Sequence, residues 1–156
     1  MRAIPLRSER LTLEPVAAAH ADELAPLLDD PDLHAFTGGA PLSRDALRER
    51  YARLAGAEDR LNWVVRAGAD AVGYVQATVQ GDAAEVAWVI GAAHQRRGYA
   101  REAAAALVAW LRTQGVWRIA AHIRPDHAAS IAVARHLGLE PGATRADGEI
   151  RWVSPG

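Results

Sequence analysis

Cysteine is missing from this chain, and so is lysine; phenylalanine and methionine occur once each. Without cysteine there is no disulfide framework, no thiolate metal site and no cysteine nucleophile. Arginine takes every basic position, a matter of composition rather than function. Neither sign of charge dominates. A formal net charge of −1 argues against a general polyanion or nucleic-acid binder, and leaves room for a local anion site. Long apolar runs are absent too. The longest, "AAAALVAWL" at 103–111, is far short of the roughly 20 residues a membrane-spanning helix needs. The opening "MRAIPLRSERLTLEPV" lacks the unbroken apolar stretch of a signal peptide. A soluble, cytoplasmic protein without a membrane partner is expected. The histidines show no spacing such as H-E-x-x-H, so no metal site is expected.

What is present is a chain that is half apolar, with no repeat, low-complexity tract or linker-like break. One domain over 1–156 is expected. "RLTLEPV" (10–16) alternates like a strand. Leu24, Leu27 and Leu28 have helical spacing, with Pro26 able to kink or shorten that helix. Residues 29–43 read as a loop. Ser43 can cap a helix carrying Leu47, Tyr51 and Leu54. Strands are predicted over 61–67, 71–80 and 84–91, separated by turns at Gly68 and Gly81. A helix runs from about Gly98 to Gly115, then a strand over 116–123, a helix ending at Gly138, and a hairpin turning at Asp147–Gly148. Strand, helix and strand in succession suggest a right-handed crossover between parallel strands. The class is a mixed α/β domain, a twisted sheet with helices packed on it. Trp110 and Trp117 are expected in the core; Trp63, Trp88 and Trp152 can face either way.

"QRRGYA" (95–100) stands between a buried strand and a long helix. The first amides of a helix lack internal partners, and its dipole favours an anion there. A glycine lets the backbone approach a phosphate oxygen, and arginine binds two such oxygens at once. The same residues also read as solvated basic surface. G-x-G-x-x-G and the Walker pattern are both absent, which disfavours a dinucleotide or nucleotide-hydrolysing enzyme.

"QRRGYA" matches the Q/R-x-x-G-x-G/A signature of the GNAT family of N-acetyltransferases. The opening "IPLRSERLTLEP", the acidic Glu85 in "AEVAWVIGAAHQRRGYA" and the segment "HAASIAVARHLGLE" (127–140) resemble its RimJ/RimL-like, ribosomal-protein-acetyltransferase branch. The resemblance implies a mostly antiparallel twisted sheet with a central parallel pair and about four helices. It also implies acetyl-CoA as co-substrate and an amine as acceptor, in a monomer or homodimer. The CoA pyrophosphate would lie on the amides of Arg97, Gly98, Tyr99 and Ala100, with Gln95, Arg96 and Arg101 around them. The pantetheine arm would follow strand 86–91, past Trp88, and pair with main-chain groups such as those of Val89 and Ile90. The Val89 amide would polarise the thioester carbonyl.

With no cysteine, an acyl-cysteine intermediate is impossible, and direct attack by a bound amine is the simpler route. That amine is mostly protonated at neutral pH, so a base is needed. By family position Glu85 is the candidate; otherwise it is an exposed salt-bridge residue. The tyrosine many members use on the last helix is Ala134 here. Ser130 is left to hydrogen-bond the leaving thiolate, or equally to bond backbone within its helix. The usual asparagine is His127, which can replace a pantetheine contact, act on the thiol, or help cap the helix. Loop 29–45 would cover the acceptor. Phe36 in that loop would pack over the acceptor or pin the loop to the core, and Trp88, on the cofactor strand, would form a wall of the acceptor pocket. Acids in that loop would favour a cationic acceptor, such as a protein N-terminus, polyamine or aminoglycoside; otherwise they belong to a solvated loop. A second functional reading is an acyl-CoA-binding sensor or weakly active homologue.

Overall fold

The computed structural model describes residues 1–30 and 42–155; Phe36 lies outside them. An eight-stranded sheet has the order β1-β2-β3-β4-β5-β6-β8-β7. Its strands are β1 (Leu6–Arg7), β2 (Leu11–Pro15), β3 (Arg60–Ala67), β4 (Asp70–Gln80), β5 (Ala83–Ile90), β6 (Arg118–Ile123), β7 (Glu140–Ala146) and β8 (Glu149–Val153). The described α-helices are α1 (Ala21–Leu28), α2 (Arg44–Leu54), α3 (Tyr99–Thr113) and α4 (Ala128–His136). Every pairing is antiparallel except that of β5 with β6, which α3 connects.

The punctuation residues act where their chemistry predicts. Ser43 caps α2 by accepting from the Ala46 amide at 3.1 Å. Asp147 and Gly148 both have positive φ, 52° and 77°, as a tight hairpin turn between β7 and β8 requires. Pro26 sits inside α1, which is only eight residues long; it cannot donate to the carbonyl one turn back.

Strand alternation sends side chains to two cores. One face of the sheet, with Leu13, Trp63, Val75 and Val86, packs on Leu107 and Leu111 of α3. The other carries Val64 against Leu24, Leu47, Tyr51 and Leu54 of α1 and α2. Trp63 is fully buried, stands edge-on to Trp110 at 5.6 Å, and donates its indole N–H to the Ile4 carbonyl at 2.7 Å. Trp152 is also buried. Trp117 departs from expectation, being 62% exposed. The amides of Trp117 and Arg118 both bond the Asp82 carbonyl; Trp117 lies in the connection just before β6 and Val116 fills the core instead.

Truncating Trp63 removes a full aromatic from a site with no solvent access. Trp63→Ala should lower the unfolding free energy by about 3–5 kcal/mol, read as a reduced urea midpoint with little change in slope.

Candidate active site

The parallel pair is short. β5 and β6 are in register only at Ala83–Arg118, Ala84–Ile119 and Glu85–Ala120. Beyond Glu85, β5 stays with β4 as far as Ile90, while β6 stays with β8 through Ile123. The sheet splits there. The Gly91 amide bonds the Val72 carbonyl at 2.8 Å, which fixes the alternation along β5. Odd-numbered residues, Val89 included, turn their N–H and C=O toward β4. Even-numbered ones turn theirs toward β6. Trp88 and Ile90 therefore present main-chain groups to the split, and the Ile90 carbonyl accepts from the Gln95 side-chain amide at 2.9 Å. Val89, the oxyanion donor expected from the sequence, has its amide directed into the sheet; its side chain lines the cavity beside the split.

The loop after β5 leads directly to the N-terminus of α3. Arg96 and Gly98 have left-handed φ, 65° and 80°, and Gly98 is the N-cap, without a side-chain cap. Left-handed residues close together shape an amide-lined concavity suited to anions. The first intrahelical bond runs from the Glu102 amide to the Gly98 carbonyl at 3.0 Å, so the amides of Tyr99, Ala100 and Arg101 precede it. An open depression of about 800 Å³ lies here, lined by Arg7, Arg10, Arg96, Arg97, Gly98 and Arg101. Among the described residues only Arg10 of these arginines is in a salt bridge, at 2.7 Å from Glu102.

Arg10 is a residue that sequence reasoning passes over. Its Nη1 donates to the Arg97 carbonyl at 2.8 Å, its Nε bonds Glu102, and its guanidinium stacks over the Tyr99 ring at 5.0 Å. Glu102 also accepts from the Arg10 amide at 2.8 Å and from the Ser8 hydroxyl. The β1–β2 turn is thereby tied to the loop and to α3. The available signal is the opening "LRSERLTL", which holds both Ser8 and Arg10.

Two polar groups meet at the split. Glu85 is exposed, with Oε1 at 3.2 Å from His122 Nε2 on β6. Ser130, 8% exposed in the first turn of α4, accepts from the Trp88 indole N–H at 3.2 Å and lies 3.4 Å from His127 Nε2. His127 precedes α4 without capping it through its side chain. Burial holds its pKa below the ordinary histidine value, against an opposing pull from Asp126, and so favours the neutral ring. A neutral ring has one donor and one acceptor nitrogen. With Trp88 donating to Oγ, the Ser130 hydroxyl proton is free to donate in turn. Ala134 is fully buried in the core. Glu85, Trp88, Val89, His122, His127 and Ser130 all line one cavity of about 640 Å³ that continues toward α2. Gln95, Arg96, Arg97, Gly98 and Arg101 form the separate loop around the start of α3.

Residues 10–140 match the family model of the GNAT acetyltransferase domain. The chain belongs to the GNAT acetyltransferase family. Three solved structures illustrate the likeness. A GNAT-family acetyltransferase from Bacillus anthracis superposes with a TM-score of 0.82 at 18% identity, covering 96% of each chain. An acetyltransferase from Agrobacterium tumefaciens does so at 0.79 and 26% identity, over 99% of this chain and 95% of that one. RimL, a ribosomal L7/L12 alpha-N-protein acetyltransferase solved with coenzyme A, gives 0.81 at 18% identity, over 96% of this chain and 94% of its own. No curated protein matches the chain in sequence. The fold and family are those expected from "QRRGYA" and its flanks, and the chain is a GNAT acetyltransferase domain.

Glu102 supplies a pH prediction. Burial raises its pKa, but bonds from Ser8 and from the Arg10 amide and guanidinium outweigh this and leave it lowered. A depressed carboxylate contributes stability above its unfolded pKa, lost as pH falls through the folded value. The urea midpoint of the wild type should therefore fall on acidification below the ordinary glutamate range, and Glu102→Gln should flatten that acid limb.

Proposed function

We propose that the protein moves an acetyl group from acetyl-CoA directly to a primary amine, with both bound together. The observation carrying this reading is the split between β5 and β6 opening onto the uncapped start of α3. An amide-bearing arm fits the strand edge at Trp88 and the Ile90 amide, and a pyrophosphate fits the amides of Tyr99 to Arg101 beside arginines that have no carboxylate partner among the described residues. When bound, acetyl-CoA supplies the reactive thioester. The Trp88 or Ile90 amide, rather than that of Val89, donates to its carbonyl oxygen. The amine nitrogen forms the new C–N bond, the C–S bond breaks, and the amine proton passes to Glu85, directly or through a water, while His122 holds that carboxylate. The departing thiolate accepts a hydrogen bond from the Ser130 hydroxyl, which His127 and Trp88 orient, and takes its proton from water on release.

Release of CoA thiol on incubation with acetyl-CoA and a panel of amines tests this, with no thiol background from a cysteine-free chain. Glu85→Gln should lower kcat by about 10²–10⁴-fold while CoA affinity is kept. Gly98→Val places a branched residue at φ 80°, with its Cβ 3.2 Å from Arg10 Nη2. It should weaken CoA binding about tenfold or more, roughly 1.4 kcal/mol, by calorimetric titration. Normal CoA binding by Gly98→Val would overturn the phosphate-loop assignment. Thermal stabilisation by CoA with no turnover on any amine would favour the acyl-CoA sensor.

A further inference from the structure

On the α2 side of the split the cavity has a second polar corner, which takes no part in the acetyl-transfer steps. Arg50 of α2, its neighbour Tyr51 and Tyr74 of β4 line it. Arg44 and Arg48 on the same helix both approach Asp22; Arg50 has no salt bridge among the described residues. Neither tyrosine hydroxyl has a hydrogen-bond partner there, yet no buried polar side-chain atom is left unsatisfied, so both hydroxyls open to the cavity. Burial raises both phenol pKa values and keeps them protonated, while the Arg50 guanidinium opposes that rise at both, which brings it within electrostatic reach of the two. The corner thus offers one cation and two O–H donors.

Its place in the sheet gives this donor set a purpose. Tyr74 is the cross-strand partner of Val89, and Thr78 that of Glu85. The corner therefore lies beside the far part of the split, about four residues or ~13 Å along the strand from Glu85. Val89 lies between Trp88 and Ile90, whose amides the proposed reaction gives to the thioester carbonyl, so the corner stands beside the reacting carbon, and Glu85 takes the amine proton from there through water. An acceptor with its amine at that carbon and an anion a few bonds away fits this arrangement. Two phenols and a guanidinium match the oxygens of a carboxylate by charge-assisted hydrogen bonds.

We propose that this corner binds a carboxylate of the acceptor, so that the preferred acceptor is an amine carrying a carboxylate, as in an amino acid. This departs from the cationic acceptor that the acids of loop 29–45 suggest. That the amine is acetylated rests on the transferase reading; that the corner holds a carboxylate does not.

The test is a matched panel of α-amino acids against their carboxamides, and of short peptides with N-terminal Asp or Glu against Asn or Gln. Thiol release should favour the carboxylate member of a pair at least tenfold in kcat/KM. Arg50→Met should bring that ratio close to one, and Arg50→Lys should restore part of it. The free amino acids and the peptides show which source of carboxylate is used. Equal or better turnover of the carboxamides, or a ratio that survives Arg50→Met, would overturn the proposal and leave the transferase standing. If no pair is turned over, calorimetry on the CoA-loaded protein decides. Carboxylate-selective binding lost in Arg50→Met upholds the corner and counts against the transferase; absence of such binding overturns the corner.

Discussion

The short hydrogen-bonded contact between β5 and β6 governs the rest of this molecule. β5 is paired to β4 along its whole length and to β6 at three positions only. β6 in turn follows β8. The sheet is held together at one end and open at the other. An open strand edge inside a folded domain leaves main-chain donors and acceptors that something must satisfy. Here the alternation of β5 assigns that need to Trp88 and Ile90, and Gln95 meets part of it at the Ile90 carbonyl. Since α3 follows β5 after a short loop, the opening ends at a helix N-terminus, and one chain path supplies both the strand edge and the uncapped helix start.

Electrostatics divide the molecule along that path. At the outer end, Arg7, Arg96, Arg97 and Arg101 stand without carboxylate partners among the described residues, beside a left-handed loop. The neighbouring Arg10 plays a different part. With Glu102 and Ser8 it braces the loop against β1 and β2. Deeper in, charges are mixed and spaced. Glu85 leans on His122, while Arg50 and two phenols occupy another corner of the same cavity. The outer end suits a multiply charged donor molecule and the inner cavity a smaller ligand of both signs.

Much of this is legible in the sequence because it is local. Ser43, the turn glycines and the alternation of β2 to β5 announce the elements, and the spacing around Gly98 announces the loop. What escapes depends on contacts between distant segments. Arg10 meets Arg97 and Glu102, 87 and 92 positions away, and His122 meets Glu85 only because β6 lies beside β5. Val89 reads from sequence as a donor into the split; the direction of a strand amide depends on a hydrogen-bond phase that side-chain pattern does not carry. Trp117 reads as core from its apolar neighbours, but its amide is held by the Asp82 carbonyl in the connection before β6. The cavity corner at Arg50 joins α2 to β4, and no motif spans them.

Amide hydrogen exchange, followed by NMR with and without CoA, bears most directly on the split strand edge. The free protein should show the Val89 amide already protected by β4 and the Trp88 amide exchanging readily. CoA should then slow exchange at Trp88 or Ile90 and at Tyr99 to Arg101, leaving Val89 unchanged. Protection of Trp88 without CoA, or CoA-induced protection that avoids both β5 and the start of α3, would contradict the reading of the split as the cofactor slot.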